Sequence, residues 1–125
     1  VCRGREGLWL LDVVPECEVR FGFPNIADNA EITELIACGA HMVLFTTGRG
    51  SVVGSAISPV IKICANPETY SRMSNDMDVN AGKVLEGVGL DSVANEITDL
   101  VVSVAQGQQT KSEALGHAEC LITYK

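Results

Sequence analysis

The chain has 125 residues, 46% hydrophobic and 20% charged, with a net charge of −7. That length suits one domain, and the composition lies far from the disordered class. An acidic chain without a basic stripe argues against nucleic acid as a partner, and no run of about 18 apolar residues offers a membrane span.

In chain order, residues 8–14 (LWLLDVV) form a nearly continuous apolar run of the kind that fills a parallel sheet. Trp9 is expected in the core, and Asp12 is expected to face outward. Pro15 closes the run, and a polar, turn-rich stretch follows to Ala27. Residues 28–39 (DNAEITELIACG) read as a helix, with Asp28 as cap, Glu31 three residues on, Gly39 as stop, and Ile32, Leu35 and Ile36 as the apolar stripe. Residues 41–46 (HMVLFT) and 60–65 (VIKICA) are two further buried strands. Lys62, within the second, is expected to face outward at the sheet's edge, because a buried lysine needs a partner.

Asn66-Pro67 marks a helix start. Residues 80–85 continue as a short helix ending near Gly87. Residues 91–105 make the longest helix, capped by Asp91 or Ser92, with Val93, Ile97, Leu100, Val101 and Val104 on one face. Thr110 and Glu113 have capping-box spacing, and residues 120–124 (CLITY) resemble a last strand. Strands alternating with helices predict an α/β fold: a three-layer sandwich with a mostly parallel sheet of about four or five strands flanked by helices.

The five cysteines, Cys2, Cys17, Cys38, Cys64 and Cys120, are odd in number and lack C-x-x-C spacing. Reduced thiols in a cytoplasmic protein are the expectation.

Three segments can carry chemistry. Thr46-Thr47-Gly48-Arg49-Gly50-Ser51 follows a buried strand, at the sheet edge where open α/β folds bind ligands. Its glycines let the backbone come close to a ligand, its hydroxyls match hydroxyls, and arginine pairs bidentately with carboxylate. A plain tight turn with Arg49 on the surface is the competing reading. It is not a Walker loop, and Val53 stands where a dinucleotide fingerprint needs its third glycine. Asp76-Met77-Asp78-Val79-Asn80-Ala81-Gly82 could orient hydroxyls or hold a cation, although Ala81 and Gly87 exclude a calcium loop; helix capping by Asp76 or Asp78 is the alternative. Lys111-Ser112-Glu113 with His117 and Glu119 offers His117 as an acid/base, or as a mere cap. His41, at a strand start, reads as structural.

These same residues carry a resemblance. Residues 45–51 (FTTGRGS), 58–62 (SPVIK), Asn66-Pro67, residues 76–82 (DMDVNAG), residues 112–117 (SEALGH) and 123–125 (TYK) are similar, in order, to the C-terminal part of the altronate/galactarate dehydratases. The resemblance implies one C-terminal α/β domain, residues 1–125, of a larger enzyme whose SAF-type and central domains lie outside this chain. It implies hydro-lyase chemistry: loss of water from altronate- or galactarate-like acids to give 2-keto-3-deoxy acids. It also implies a divalent metal, iron or manganese, in the full enzyme, with no ligand assignable to this chain.

Residues 15–29 (PECEVRFGFPNIADN) depart from the typical pattern by their length. They make a large-subunit fragment of a sulfolactate sulfo-lyase, which eliminates sulfite, the alternative enzyme. A sugar-acid-binding and homodimerisation domain without catalytic groups is the non-enzymatic alternative.

On this reading Thr46, Thr47, Gly48, Arg49, Gly50, Ser51 and Asn80 contact substrate, with Arg49 on its carboxylate. Asp78 and His117 are the weak catalytic candidates. The expected partners are a small sugar acid and the enzyme's other domains, and the isolated chain is expected to fold without turning over a sugar acid.

Overall fold

A computed structural model describes residues 7–11 and 28–120. The elements run α1 (Asp28–Ala37), β1 (Val43–Thr47), β2 (Val60–Cys64), α2 (Pro67–Arg72), β3 (Val79–Asn80), a 3₁₀ helix (Ala81–Glu86), α3 (Leu90–Ala105) and α4 (Lys111–Leu115). The strands form one parallel sheet in the order β1-β2-β3.

Strand alternation sorts the core into two layers. Val43 and Val60 turn to one face, where they meet Ile32 of α1 and Val53, with Ile36 and Phe45 packed alongside. Ile61 and Ile63 turn to the other, where Val79 and Val104 join them and Ile97, Leu100 and Val101 of α3 close the layer. Helices therefore cover both faces of a parallel sheet, as expected of a three-layer α/β fold. Each of these fully buried aliphatic side chains contributes roughly 1.5–3 kcal/mol.

Local chemistry explains the ends of the elements. α1 carries Asp28 and Glu31 in its first turn, where the helix dipole favours acids, and stops at Gly39 with φ +106°. Asn66 caps α2 by accepting from Glu68 N, with Pro67 in the first turn. Thr110 and Glu113 close a reciprocal capping box on α4, and Gly116 ends that helix in the left-handed region. The expected cap of α3 by Asp91 or Ser92 is not what forms. The helix begins one residue earlier with Gly89 at its N-cap and no side-chain cap bond, because its burial against the sheet supplies the driving force.

Two further corrections concern the chain ends. Residues 8–11 form no strand: Leu8 and Leu10 are exposed, and Trp9, expected in the core, is 53% exposed. Asp12 and the long stretch to Ala27 lie outside the described residues, as do Cys2, Cys17 and residues 121–124 of the expected last strand. Among the described residues the sheet thus has three strands, where four or five were expected. The third, Val79–Asn80, falls inside the segment read as loop and helix cap.

Candidate functional site

The parallel register sets the geometry of the sheet's carboxyl edge. Thr47 of β1 pairs with Cys64 of β2, which pairs with Asn80 of β3, so the three side chains form one row on one face. Lys62, two residues before Cys64, shares that face. Thr46 does not, because alternation turns it to the opposite side. Of the two adjacent threonines, only Thr47 shares the face of Asn80, with Cys64 of the central strand between them.

The loop after β1 is pinned at three points. Gly50 donates its N–H to Thr47 Oγ1 at 3.0 Å, Thr69 Oγ1 of α2 donates to Gly48 O at 3.0 Å, and Ala65 N donates to Thr47 O at 2.9 Å. Gly50 adopts φ +85°, and a Cβ there would run into the Met73 side chain, so glycine is required. The loop leaves Arg49 exposed at the rim, with no ion pair or hydrogen bond to another described residue. Ser51 borders a shallow depression of about 260 Å³ that Asp28, Asn29, Val52, Val53 and Glu119 also line.

Beneath this rim lies a buried polar cluster. Lys62 is 0% exposed and its Nζ has no hydrogen-bond partner among the described residues. This corrects its expected outward orientation. β2 is the central strand and all five of its residues are buried, so no face of it is available to solvent. Burial holds the Lys62 amine below the ordinary lysine value, against the opposing pull of Asp78, Asp76 and Glu119. Asn80 Oδ1 is a second buried polar atom without a hydrogen-bond partner among the described residues.

Asp78 is committed elsewhere. Its Oδ2 accepts from Lys62 N at 2.7 Å and its Oδ1 from Lys111 N at 2.9 Å, while its own N–H donates to Lys62 O at 2.9 Å. It does cap a helix, as one of the readings had it. The helix is the distant α4, not a local one. Lys111 Nζ donates at 2.6 Å to the carbonyls of both Ser74 and Met77, fixing the turn that carries Asp76.

His117 stands between two carboxylates: Nδ1 lies 3.2 Å from Glu119 Oε1 and Nε2 lies 3.9 Å from Asp76 Oδ1. Glu119 Oε2 accepts from Gly54 N at 3.1 Å. That bond and Glu119's own backbone N–H hold its carboxyl below the usual value, with His117 adding to the effect. A Cβ on Gly54 would come within 2.5 Å of His117 O, so the C-terminal segment lies directly on the backbone at Gly54. His41 is exposed at the chain's approach to β1, away from this cluster.

Among the described residues no three His, Cys, Asp or Glu side chains converge as a metal ion requires. Asp76, His117 and Glu119 are strung along a single imidazole ring instead of around a common centre. These residues do not fit the divalent metal that the resemblance implies.

Two sequence candidates, Thr47 and Asn80, thus lie on one face of the carboxyl edge, and the loop that follows Thr47 carries a third, Arg49, at the rim. Lys62 and Glu119 join the arrangement from positions that the sequence did not single out for it. For Lys62 a signal was present: the run Val60-Ile61-Lys62-Ile63-Cys64 is otherwise wholly apolar, which marks a strand buried on both faces.

A family model described as D-galactarate/altronate dehydratase, C-terminal, matches residues 3–125, and the chain belongs to that family. It is 34% identical over 119 residues to the (2R)-sulfolactate sulfo-lyase subunit beta of Chromohalobacter salexigens, covering 94% of this chain and 28% of that protein. It is 35% identical over 86 residues to the altronate dehydratase of Escherichia coli, covering 69% of this chain and 17% of the enzyme. The galactarate dehydratase (L-threo-forming) of Escherichia coli is 33% identical over 78 residues, covering 62% of this chain and 15% of the enzyme. The chain therefore spans less than a third of the length of each of these relatives. Among the described residues no helix is long and apolar enough to cross a membrane.

Proposed function

We propose that the chain is the C-terminal domain of a hydro-lyase acting on sugar acids of the altronate or galactarate type, and that its share of the work is to grip the substrate's acid end. The observation that carries this is the Thr47–Ser51 loop: two glycines at the carboxyl edge of a parallel sheet, with the Arg49 guanidinium exposed between them. The permanent cation of Arg49 favours a carboxylate, and the hydroxyls of Thr47 and Ser51, with the Asn80 amide on the same sheet face as Thr47, favour a polyhydroxy chain.

Removing water from a 2,3-dihydroxy acid starts with loss of the proton beside the carboxylate. Electron density then moves onto the acid, where a fixed cation stabilises it. Arg49 is suited to that role. The loop by itself supplies neither the base nor the acid of this reaction. The free thiols of Cys38, Cys64 and Cys120 support a cytoplasmic setting for this reading.

A sulfolactate sulfo-lyase is the second reading. It is favoured by the relative that covers 94% of this chain, against 69% and 62% for the two dehydratases. Both readings share abstraction of the proton next to a carboxylate and departure of a group from the neighbouring carbon, so the loop serves either.

The test is to assay the intact protein against altronate, galactarate and sulfolactate, scoring 2-keto acid and sulfite. With the Arg49–carboxylate pair buried in the intact protein's complex, Arg49→Ala should lower kcat/KM for the true substrate by on the order of 2–5 kcal/mol of transition-state binding. Unchanged kinetics would reduce Arg49 to a surface turn residue. Turnover of none of the three acids would remove the lyase reading.

A further inference from the structure

We infer that Lys62 is the base that takes the proton next to the substrate carboxylate. The inference rests on the lyase reading above and locates on this chain a role which that reading leaves open.

A fully buried amine with no hydrogen-bond partner among the described residues is a costly feature in the central strand of a small sheet. The surroundings could have neutralised that cost with an ion pair, since Asp78 is the carboxylate with the largest effect on Lys62. Instead both Asp78 oxygens are spent on backbone N–H groups, those of Lys62 and Lys111. Asp76 is turned to His117, and Glu119 is shared between His117 and Gly54 N. Lys111, the other cation nearby, is held by two carbonyls and works against a second positive charge. Every charged group facing Lys62 is thus engaged with something else, and an amine left in that state is held toward its neutral, basic form.

Its position suits the task. Lys62 shares the face of Thr47, Cys64 and Asn80, one alternation step below the row that borders the Arg49 loop. Glu119 belongs both to the wall of the surface depression and to the charges that act on Lys62. On this inference an acid held by the loop reaches this face with its adjacent C–H toward the amine, which takes the place of the hydrogen-bond partner that Lys62 lacks among the described residues. The amine lone pair takes that proton, the C–H electron pair becomes a C=C bond, and hydroxide (or sulfite) leaves from the next carbon with its bonding pair. The hydroxide takes a proton from solvent, the ammonium returns its own to solvent, and the enol tautomerises to the 2-keto acid.

The test uses the intact protein with Lys62→Met, which keeps the volume, and Lys62→Arg, which keeps a charge but cannot become neutral. Both should lower kcat/KM by about 10²- to 10⁴-fold while leaving KM within a few-fold. Both should also abolish exchange of the substrate's C2 hydrogen in D2O, and their melting curves should show them folded. In the wild type, the acid limb of the pH–rate profile should follow the Lys62 titration read by 15Nζ NMR, with Lys62 assigned by its absence in Lys62→Arg. Wild-type exchange and turnover in Lys62→Met would overturn the inference and leave the lyase reading intact. If the wild type turns over none of the three acids, the lyase reading fails. The NMR titration tests the base separately: an ordinary lysine titration sinks it even where the wild type turns over one of the acids.

Discussion

Replacing Asp78 tests the framework on which the site stands. Its carboxylate accepts two backbone N–H groups 49 residues apart in sequence, at 2.7 Å from Lys62 and 2.9 Å from Lys111. Hydrogen bonds to a charged group contribute about 1.5–3 kcal/mol each, and leaving the buried Lys62 N–H unpaired adds to the loss. Asp78→Ala should therefore cost about 3–5 kcal/mol, and Asp78→Asn, which keeps one accepting oxygen, about half of that. A domain of this size has roughly 6–15 kcal/mol in total, so the alanine variant forfeits a large fraction of its stability. In urea, with a slope of about 1.5–2 kcal/mol/M, the midpoint should fall by about 2 M. Amide exchange should accelerate at Lys62 and Lys111 before the rest of the sheet opens. An Asp78→Ala midpoint within about 0.3 M of wild type would refute the claim that this carboxylate ties β2 to α4.

Further outcomes follow from the same geometry. Thr110→Ala removes a buried hydroxyl that bonds Ser112 Oγ and Glu113 N, and should cost about 1–2 kcal/mol in a thermal or urea melt. Gly54→Ala drives a Cβ against His117 O and should cost about 1–3 kcal/mol, with the His117 ring resonances displaced in NMR spectra. For Lys62 the folded amine titrates below its ordinary 10.5, so between the two values the unfolded chain binds more protons. Wild-type stability should therefore climb with pH through that window, and the penalty should be fully present below it. Lys62→Met should lack that slope and be the more stable protein at neutral pH, as urea melts across the range will show. An identical pH dependence in the two proteins would refute the burial argument.

Much of the fold was legible because its signals are local. Gly39, Pro67, Gly87 and the Thr110–Glu113 pair stop or start their elements as their backbone chemistry requires. The apolar runs at β1 and β2 marked a parallel sheet, and the loop after β1 fell at its carboxyl edge. What escaped the sequence was long-range. β3 has two residues and no hydrophobic period of its own; it exists because Ile63 and Cys64 offer it a partner edge. Asp78 looked like a local cap because nothing in its spacing reveals that Lys111 comes to it from the far end of α3. The apolar run around Lys62 signalled a strand buried on both faces, but that β2 is the central strand, with no edge for the amine, only the pairing decides. Trp9 misled for the opposite reason, because an aromatic in an apolar run reads as core whether or not the run finds a sheet to join.

The most direct measurement of the central claim is an NMR titration of the 15N-labelled chain with galactarate, altronate and sulfolactate. Binding at the Arg49 loop should shift the amides of Gly48 and Gly50 and the Arg49 Nε first, with Thr47 and Asn80 following. Shifts clustered at the opposite sheet edge, around Val43 and Val60, with Gly48 and Gly50 unmoved, would contradict it.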